Sequence, residues 1–325
     1  MFRRCQCFPA IIACAATLFA VGCGGKAETT GGSATARPAA GPIKIGAVLP
    51  MFSHPFFVAQ KQGLETAAKE LGISIDIRDG QDDDLKQISQ VEALLNSGIQ
   101  ALILCPRDET ALLPAVKAAN RLNVPVITLN RRIKGGKVVC HVGADDADGG
   151  KAQGKALVEA LGGRGGKVVY LQGTRGSSPQ ISRNEGLQAI LKDHPEIEIA
   201  DDRYTNFQED QAKAVMTELV RRFPPGRIQA IVAQADELAV PAAGVAAAEG
   251  WKDVLVIGFN GNTSAFQAIK QGRLFATVLQ DPVEQGRKAV ETTVAHLKGT
   301  LPPGDVITPL PLVTKSNIDK YQAAY

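Results

Sequence analysis

From Ile43 onward, short unbroken apolar runs alternate with longer stretches in which apolar residues recur every three or four positions. The runs IKIGAVL, ISIDIRD, ALILC, VPVITLN, VVCHVGA, KVVYLQG, IEIADDRY, AIVAQAD, VLVIGFN and FATVLQ predict ten strands. Segments such as FVAQKQGLETAAKELG and DQAKAVMTELVRRF predict amphipathic helices between most of them. Continuous Val, Ile and Leu runs, in place of alternation, are the pattern of strands buried on both faces of a parallel sheet. Repeated strand–helix units join through right-handed crossovers into doubly wound sheets. Ten strands are too many for one small sheet, and the pattern breaks near Asp145. The expected fold is α/β, with two doubly wound parallel-sheet lobes joined by a multi-strand hinge.

In open α/β sheets ligands bind beyond the carboxyl ends of the strands. The segments that follow the strands are SHPFF (53–57), PRDE (106–109), NRR (130–132), ADDAD (144–148), QGTRGSS (172–178), QADE (234–237), FNGN (259–262) and QDP (280–282). They combine Arg, Asn and Gln with aromatic residues. The two phenylalanines of SHPFF pose a choice: they begin the core face of the next helix, or they wall a cleft.

The first residues change the picture of where the protein works. MFRRCQCFPAIIACAATLFAVGCGG has two arginines, an apolar stretch and small residues ending in cysteine, which is the pattern of an export signal over 1–22. AVGC at 20–23 resembles a lipobox, with Cys23 the acylated residue, although Ala20 stands where leucine is commonest; cleavage as an ordinary secreted protein is the alternative. Residues 23–42 are rich in Gly, Ala, Ser, Thr and Pro and read as a flexible tether. Of the six cysteines only Cys105 and Cys140 remain in the body. A strand between them would separate them by about 9–10 Å, beyond disulfide reach, so both are expected as buried free thiols. The net charge of +3 does not point to nucleic acid. The acidic run Asp82–Asp84 reads as a solvated helix start.

Catalytic signatures are missing. No GxGxxG follows the first strand, GGRGGK at 162–167 lacks the phosphate-loop spacing, and no GxSxG elbow occurs. His54, His141, His194 and His296 are scattered without metal-ligand spacing. The expectation is a protein without enzymatic activity, cofactor or metal.

HPFF, PVITLNR, GGKAQG, VVYLQG, SRNEGL, AQADELA, VIGFNG and GRLFATVLQDP occur in order between His54 and Pro282. In this the body, from about Ile43 to Tyr325, resembles the periplasmic sugar-binding proteins of bacterial ABC importers, ribose-binding type. The resemblance implies lobes of 43–144 plus 281–309 and of 145–280 plus 310–325, closing on a ligand. It implies aromatic ligand contacts from Phe56, Phe57 and Phe207, with Phe259 after a strand, and arginine contacts from Arg131 and Arg183. Gln280 corresponds to a polar ligand residue near the hinge. The resemblance turns the choice at SHPFF toward a cleft wall.

Four positions depart from the ribose type: His54 and Ala235 stand where it has asparagine, and Asn130 and Asn260 where it has aspartate. His54, Asn130 and Asn260 remain candidate ligand contacts. Two arginines thus lose carboxylates that would balance them, and an unpaired buried cation costs several kcal/mol. Either a nearby acid compensates (Asp236, Asp281, Asp108 or Asp145) or the ligand brings negative charge, as a sugar acid or phosphorylated sugar does. A neutral sugar or polyol read by amides is the alternative. The implied protein is a monomeric, lipid-anchored solute receptor of the periplasm or cell envelope that serves an ABC permease and binds no nucleic acid. A chemotaxis or kinase-coupled receptor and an enzyme on the same scaffold are the rival readings. A sugar-responsive repressor would carry a DNA-binding segment where this chain has its export signal.

Overall fold

The computed structural model describes residues 42–325, so the expected export signal, Cys23 and nearly all of the tether lie outside the described residues. The first lobe opens with β1 (Lys44–Leu49), α1 (Pro55–Glu70), β2 (Ser74–Asp79), α2 (Asp84–Asn96), β3 (Ala101–Leu104), α3 (Leu113–Arg121), β4 (Val126–Leu129) and β5 (Cys140–Ala144). The chain then builds α4 (Asp146–Leu161), β6 (Gly166–Gln172), α5 (Ser178–Leu191), β7 (Ile197–Tyr204), α6 (Glu209–Arg222) and β8 (Ala230–Ala233). It continues through α7 (Asp236–Ala248), β9 (Leu255–Asn260), α8 (Thr263–Lys270) and β10 (Ala276–Leu279). Last come α9 (Pro282–Leu297), β11 (Val306–Thr308) and β12 (Leu312–Thr314).

Each lobe holds one six-stranded sheet, ordered β11-β5-β4-β3-β1-β2 and β12-β10-β9-β8-β6-β7. All ten predicted strands are present. The central ones (β3, β4, β8) are buried at every position, as unbroken apolar runs require. The edge strands β2 and β7 carry exposed and half-buried polar residues instead. β11 and β12 were not expected; each has three residues, and β12 is the antiparallel exception in its sheet. They pair with β5 and β10, so the chain passes between the sheets at 144–146, 279–282 and 308–312.

Apolar clusters cover both faces of each sheet. Two helix pairs beside the cleft pack backbone to backbone. A Cβ at Gly150 would lie 2.1 Å from the Arg183 carbonyl, and one at Gly186 would lie 2.0 Å from that of Ala147. Only glycine permits this α4–α5 approach, and it sets the first turn of α4 against Arg183. Gly63 and Gly286 do the same for α1 and α9. Cys105, one residue beyond β3, and Cys140 on β5 are buried free thiols on either side of β4. Burial pushes the Cys105 thiol up to about 12 and that of Cys140 to about 11. No helix among the described residues is long and apolar enough to cross a membrane.

Candidate functional site

The strand ends of both lobes converge on a cavity lined by His54, Phe56, Phe57, Asn130, Arg131, Pro179, Arg183, Phe207, Asn260 and Gln280. Nine of the ten residues singled out in the sequence therefore meet in one place; Phe259 stands behind the wall, and Pro179 was not anticipated.

On the first-lobe side, His54 caps α1: its Nδ1 accepts the Phe56 N–H at 3.2 Å, so the neutral ring carries its proton on Nε2. Burial lowers the His54 pKa, although the Glu237 carboxylate opposes the shift. Phe56 and Phe57 occupy the first turn of α1, edge to face at 5.4 Å. Both belong to the first lobe's apolar core and both line the cavity. The choice posed by SHPFF therefore dissolves, because a ring at a strand–helix corner can serve the core on one side and the cleft on the other.

Arg131 leaves β4 in a tight turn and is 2% exposed. Its guanidinium lies 5.2 Å from the Phe57 ring centroid and 5.7 Å from that of Phe207, an arrangement in which ring faces replace part of its lost hydration. One Nη donates to the Arg107 carbonyl at 3.2 Å, and Nε is buried without a partner. Burial lowers its pKa, and the neighbouring Arg183 and Arg107 add to this. The acidic run has a use here. Asp83 caps α2, while Asp82 and Asp84 grip Arg107 at 2.8 and 3.1 Å, so the triplet is anchored in place of being merely solvated.

Arg183, on α5, is equally buried but matched. Its Nε donates to Asp146 at 2.8 Å, one Nη donates to the Gln234 carbonyl at 2.6 Å, and its plane sits 3.6 Å from the Phe259 ring centroid. Phe259 is thus a platform for Arg183 and does not face the cavity. The compensating acid is Asp146, and none of the four acids considered from the sequence takes that place. Asp145 caps α4, Asp281 caps α9, and Asp108 closes the turn before α3. Asp236 accepts from the Gly261 and Asn262 N–H groups at 2.7 and 3.0 Å and from Thr277 Oγ1 at 2.8 Å. Burial and the adjacent Glu237 push the Asp236 carboxyl well up, so it holds the turn behind Asn260 and neutralises no cation.

Amides bridge the lobes. Gln280 Nε2 donates to Asn260 Oδ1 at 2.8 Å, and Gln280 Oε1 accepts from Gln285 Nε2 at 3.1 Å. Asn130 Nδ2 donates to Gln285 Oε1 at 3.2 Å. Asn260 Nδ2 donates to Glu237 at 2.9 Å, a partner the sequence reading missed. Among the described residues, no acidic one lines the cavity. Three lining residues have left-handed or neighbouring backbone: Asn130 at φ 59°, Phe207 at φ 58° and Asn260 at φ 116°. Asparagine tolerates this region; phenylalanine there costs about 1–3 kcal/mol, the kind of strain that accumulates at binding sites. Gly173 makes room for the Phe207 ring, since a Cβ there would lie 1.9 Å from its Cζ.

A two-lobed α/β receptor with a buried interlobe cleft is the class that fold and site define. The family model described as periplasmic binding protein domain matches residues 45–301, and the chain belongs to that family. It is 36% identical over 271 residues to the ribose import binding protein of Bacillus subtilis, covering 83% of this chain and 87% of that one. The Caulobacter myo-inositol binding protein, solved with myo-inositol, is similar at TM-score 0.82 and 31% identity, over 87% of this chain and 97% of its own. A Mycobacterium smegmatis ABC transporter solute binding protein with bound glycerol gives TM-score 0.83 and 31% identity, over 88% and 99%.

Proposed function

We propose that this protein captures a sugar or polyol by lobe closure and delivers it, chemically unchanged, to an ABC importer permease. The observation that carries the reading is the cleft itself: aromatic faces and arginines from both lobes surround a space crossed by paired amides. Ring faces suit the C–H surface of a sugar, and fixed guanidinium and amide groups suit its hydroxylated rim. Ligand shifts the open–closed equilibrium by its greater affinity for the closed form, and closure is what the membrane partner reads. Acylation of Cys23 would tether the body at the extracytoplasmic face of a membrane. Metabolic labelling with a fatty acid, lost in Cys23→Ala, tests that anchor.

Arg131 supports a second reading of the ligand's character. A buried guanidinium with an unpartnered Nε and no acid on the cavity wall favours a ligand rich in acceptors, and a sugar acid or sugar phosphate most of all. Arg183 no longer contributes to that case, because Asp146 matches it. A thermal-shift screen decides between the two, since a ligand of the native state raises the melting temperature. Neutral pentoses, hexoses and polyols are set against sugar acids and sugar phosphates. Shifts from neutral compounds alone support the neutral reading, and shifts from anionic compounds alone support the charged one. If no carbohydrate of either class shifts it, the capture reading fails. Recovery of an altered ligand after incubation would indicate an enzyme instead.

A further inference from the structure

Residues 324 and 325 are pinned to the second lobe. The Ala324 N–H donates to the Gly261 carbonyl at 2.8 Å, and the Tyr325 carbonyl accepts from the Thr263 N–H at 2.8 Å and its hydroxyl at 2.6 Å. The Tyr325 phenol donates to Glu237 Oε1 at 2.6 Å. Its ring nevertheless belongs to the other lobe's surroundings: it meets Phe56 edge to face at 5.9 Å and packs against the first lobe's apolar cluster. One side chain held by the backbone of one lobe thus rests on the aromatic wall of the other.

The polar end of this contact leads to the ligand. The Glu237 carboxylate that takes the Tyr325 hydroxyl also accepts from Asn260 Nδ2 at 2.9 Å and from Asn262 Nδ2 at 3.3 Å. Asn260 Oδ1 in turn accepts from Gln280 at the hinge. Burial pushes the Tyr325 phenol well above its ordinary range, so it stays a donor at any working pH. Opening the cleft separates Tyr325 from Phe56 and wets two apolar ring surfaces. The same motion leaves the Glu237–Asn260 pair intact on its own lobe.

We propose that Tyr325 is an interlobe clasp, its ring closing on Phe56 and its hydroxyl holding Glu237 so that Asn260 is positioned for ligand. It slows opening of the closed form and sharpens retention of whatever the cleft holds. This goes beyond the capture reading, because it assigns closure to a residue, Tyr325, that does not line the cavity.

Two variants of the full chain, Tyr325→Ala and Tyr325→Phe, separate the ring from the hydroxyl. Hydrogen exchange of the ligand-free protein is read over 52–60 and 258–263, with β3 and β8 as controls for folding. Stopped-flow dissociation of D-ribose and of myo-inositol is the second measurement. Tyr325→Ala is expected to accelerate exchange at both cleft segments and to raise the dissociation rate ~10-fold, with association changed less than about twofold. Tyr325→Phe, which keeps the ring, is expected to raise dissociation only ~3-fold. Cleft exchange unchanged in Tyr325→Ala overturns the clasp, whatever the kinetics. If the controls also accelerate in that variant, Tyr325→Phe decides, and a wild-type dissociation rate there overturns the role of the hydroxyl. If neither sugar binds the wild type, the capture reading fails for these probes while the exchange comparison still decides on the clasp.

Discussion

Arg131 and Arg183 face one another across the cleft, 2% and 3% exposed, and differ in nearly everything else. Arg183 was satisfied by folding: a carboxylate at 2.8 Å, a carbonyl at 2.6 Å and an aromatic ring beneath it. Arg131 has one carbonyl, two ring faces and an unpartnered Nε. The difference teaches that burial alone does not define a binding residue. The second lobe's arginine holds α5 to α4 and to the β8–α7 turn, while the first lobe's arginine is left by its fold with an unpartnered Nε, which on the proposed reading is open to a ligand acceptor.

The largest effect expected from this contrast is on stability. Arg183→Leu leaves Asp146 buried and unmatched, and should lower the unfolding free energy by about 3–5 kcal/mol in urea titration. A loss below 1 kcal/mol would mean that Arg183 also waits for ligand. Arg131→Met removes a cation without a carboxylate partner, so stability should stay within about 1 kcal/mol of wild type. Affinity for the sugar identified in the screen should fall roughly 100-fold, read by calorimetry, because charged hydrogen bonds are lost. A variant with intact affinity would make Arg131 a structural residue like its counterpart.

The buried titratable groups differ between the lobes as well. In the first, His141 on β5 hydrogen-bonds Thr128 at 3.0 Å, and burial lowers its pKa to about 3 from 6.5. The unfolded chain therefore binds a proton below pH 6.5 that the folded one refuses. Its contribution is full above 6.5 and drains as pH falls toward 3, by about 2 kcal/mol between pH 7.5 and 5. In the second lobe the buried Asp146 and Asp236 carboxyls are raised, so their terms have the opposite sign: they favour the fold at low pH and are lost as pH climbs from 3.8 through their folded values. Urea titrations of wild type and His141→Gln at pH 5 and 7.5 check the first term. The variant should show the smaller acid penalty, and an identical slope would remove His141 from the account.

Much of this was legible in the chain. Strands buried on both faces must be apolar throughout, so VPVITLN or VLVIGFN identifies itself without any partner in view. The strand-end rule then gathers His54, Asn130, Arg131, Asn260 and Gln280 before any coordinate is known. β11 and β12 escaped because runs of only three residues, each mixing buried with more accessible positions, carry no periodic signal. Asp146 escaped for a sharper reason. It neighbours Asp145 in sequence, yet adjacent residues entering a helix point about 100° apart. One caps α4 while the other meets an arginine 37 positions away across a glycine-packed helix pair. Glu237 and Tyr325 are 88 positions apart and share no motif.

Local chemistry thus determined from sequence alone which segments are strands, which residues stand at their ends, and that those ends carry arginines, amides and rings. Only the tertiary structure decided which arginine is matched, whether Phe259 faces ligand or supports Arg183, and that Tyr325 reaches the opposite lobe. A strand end is specified by hydrophobic periodicity along the chain, whereas a charge partner or a clasp is specified by distances through space that packing alone sets.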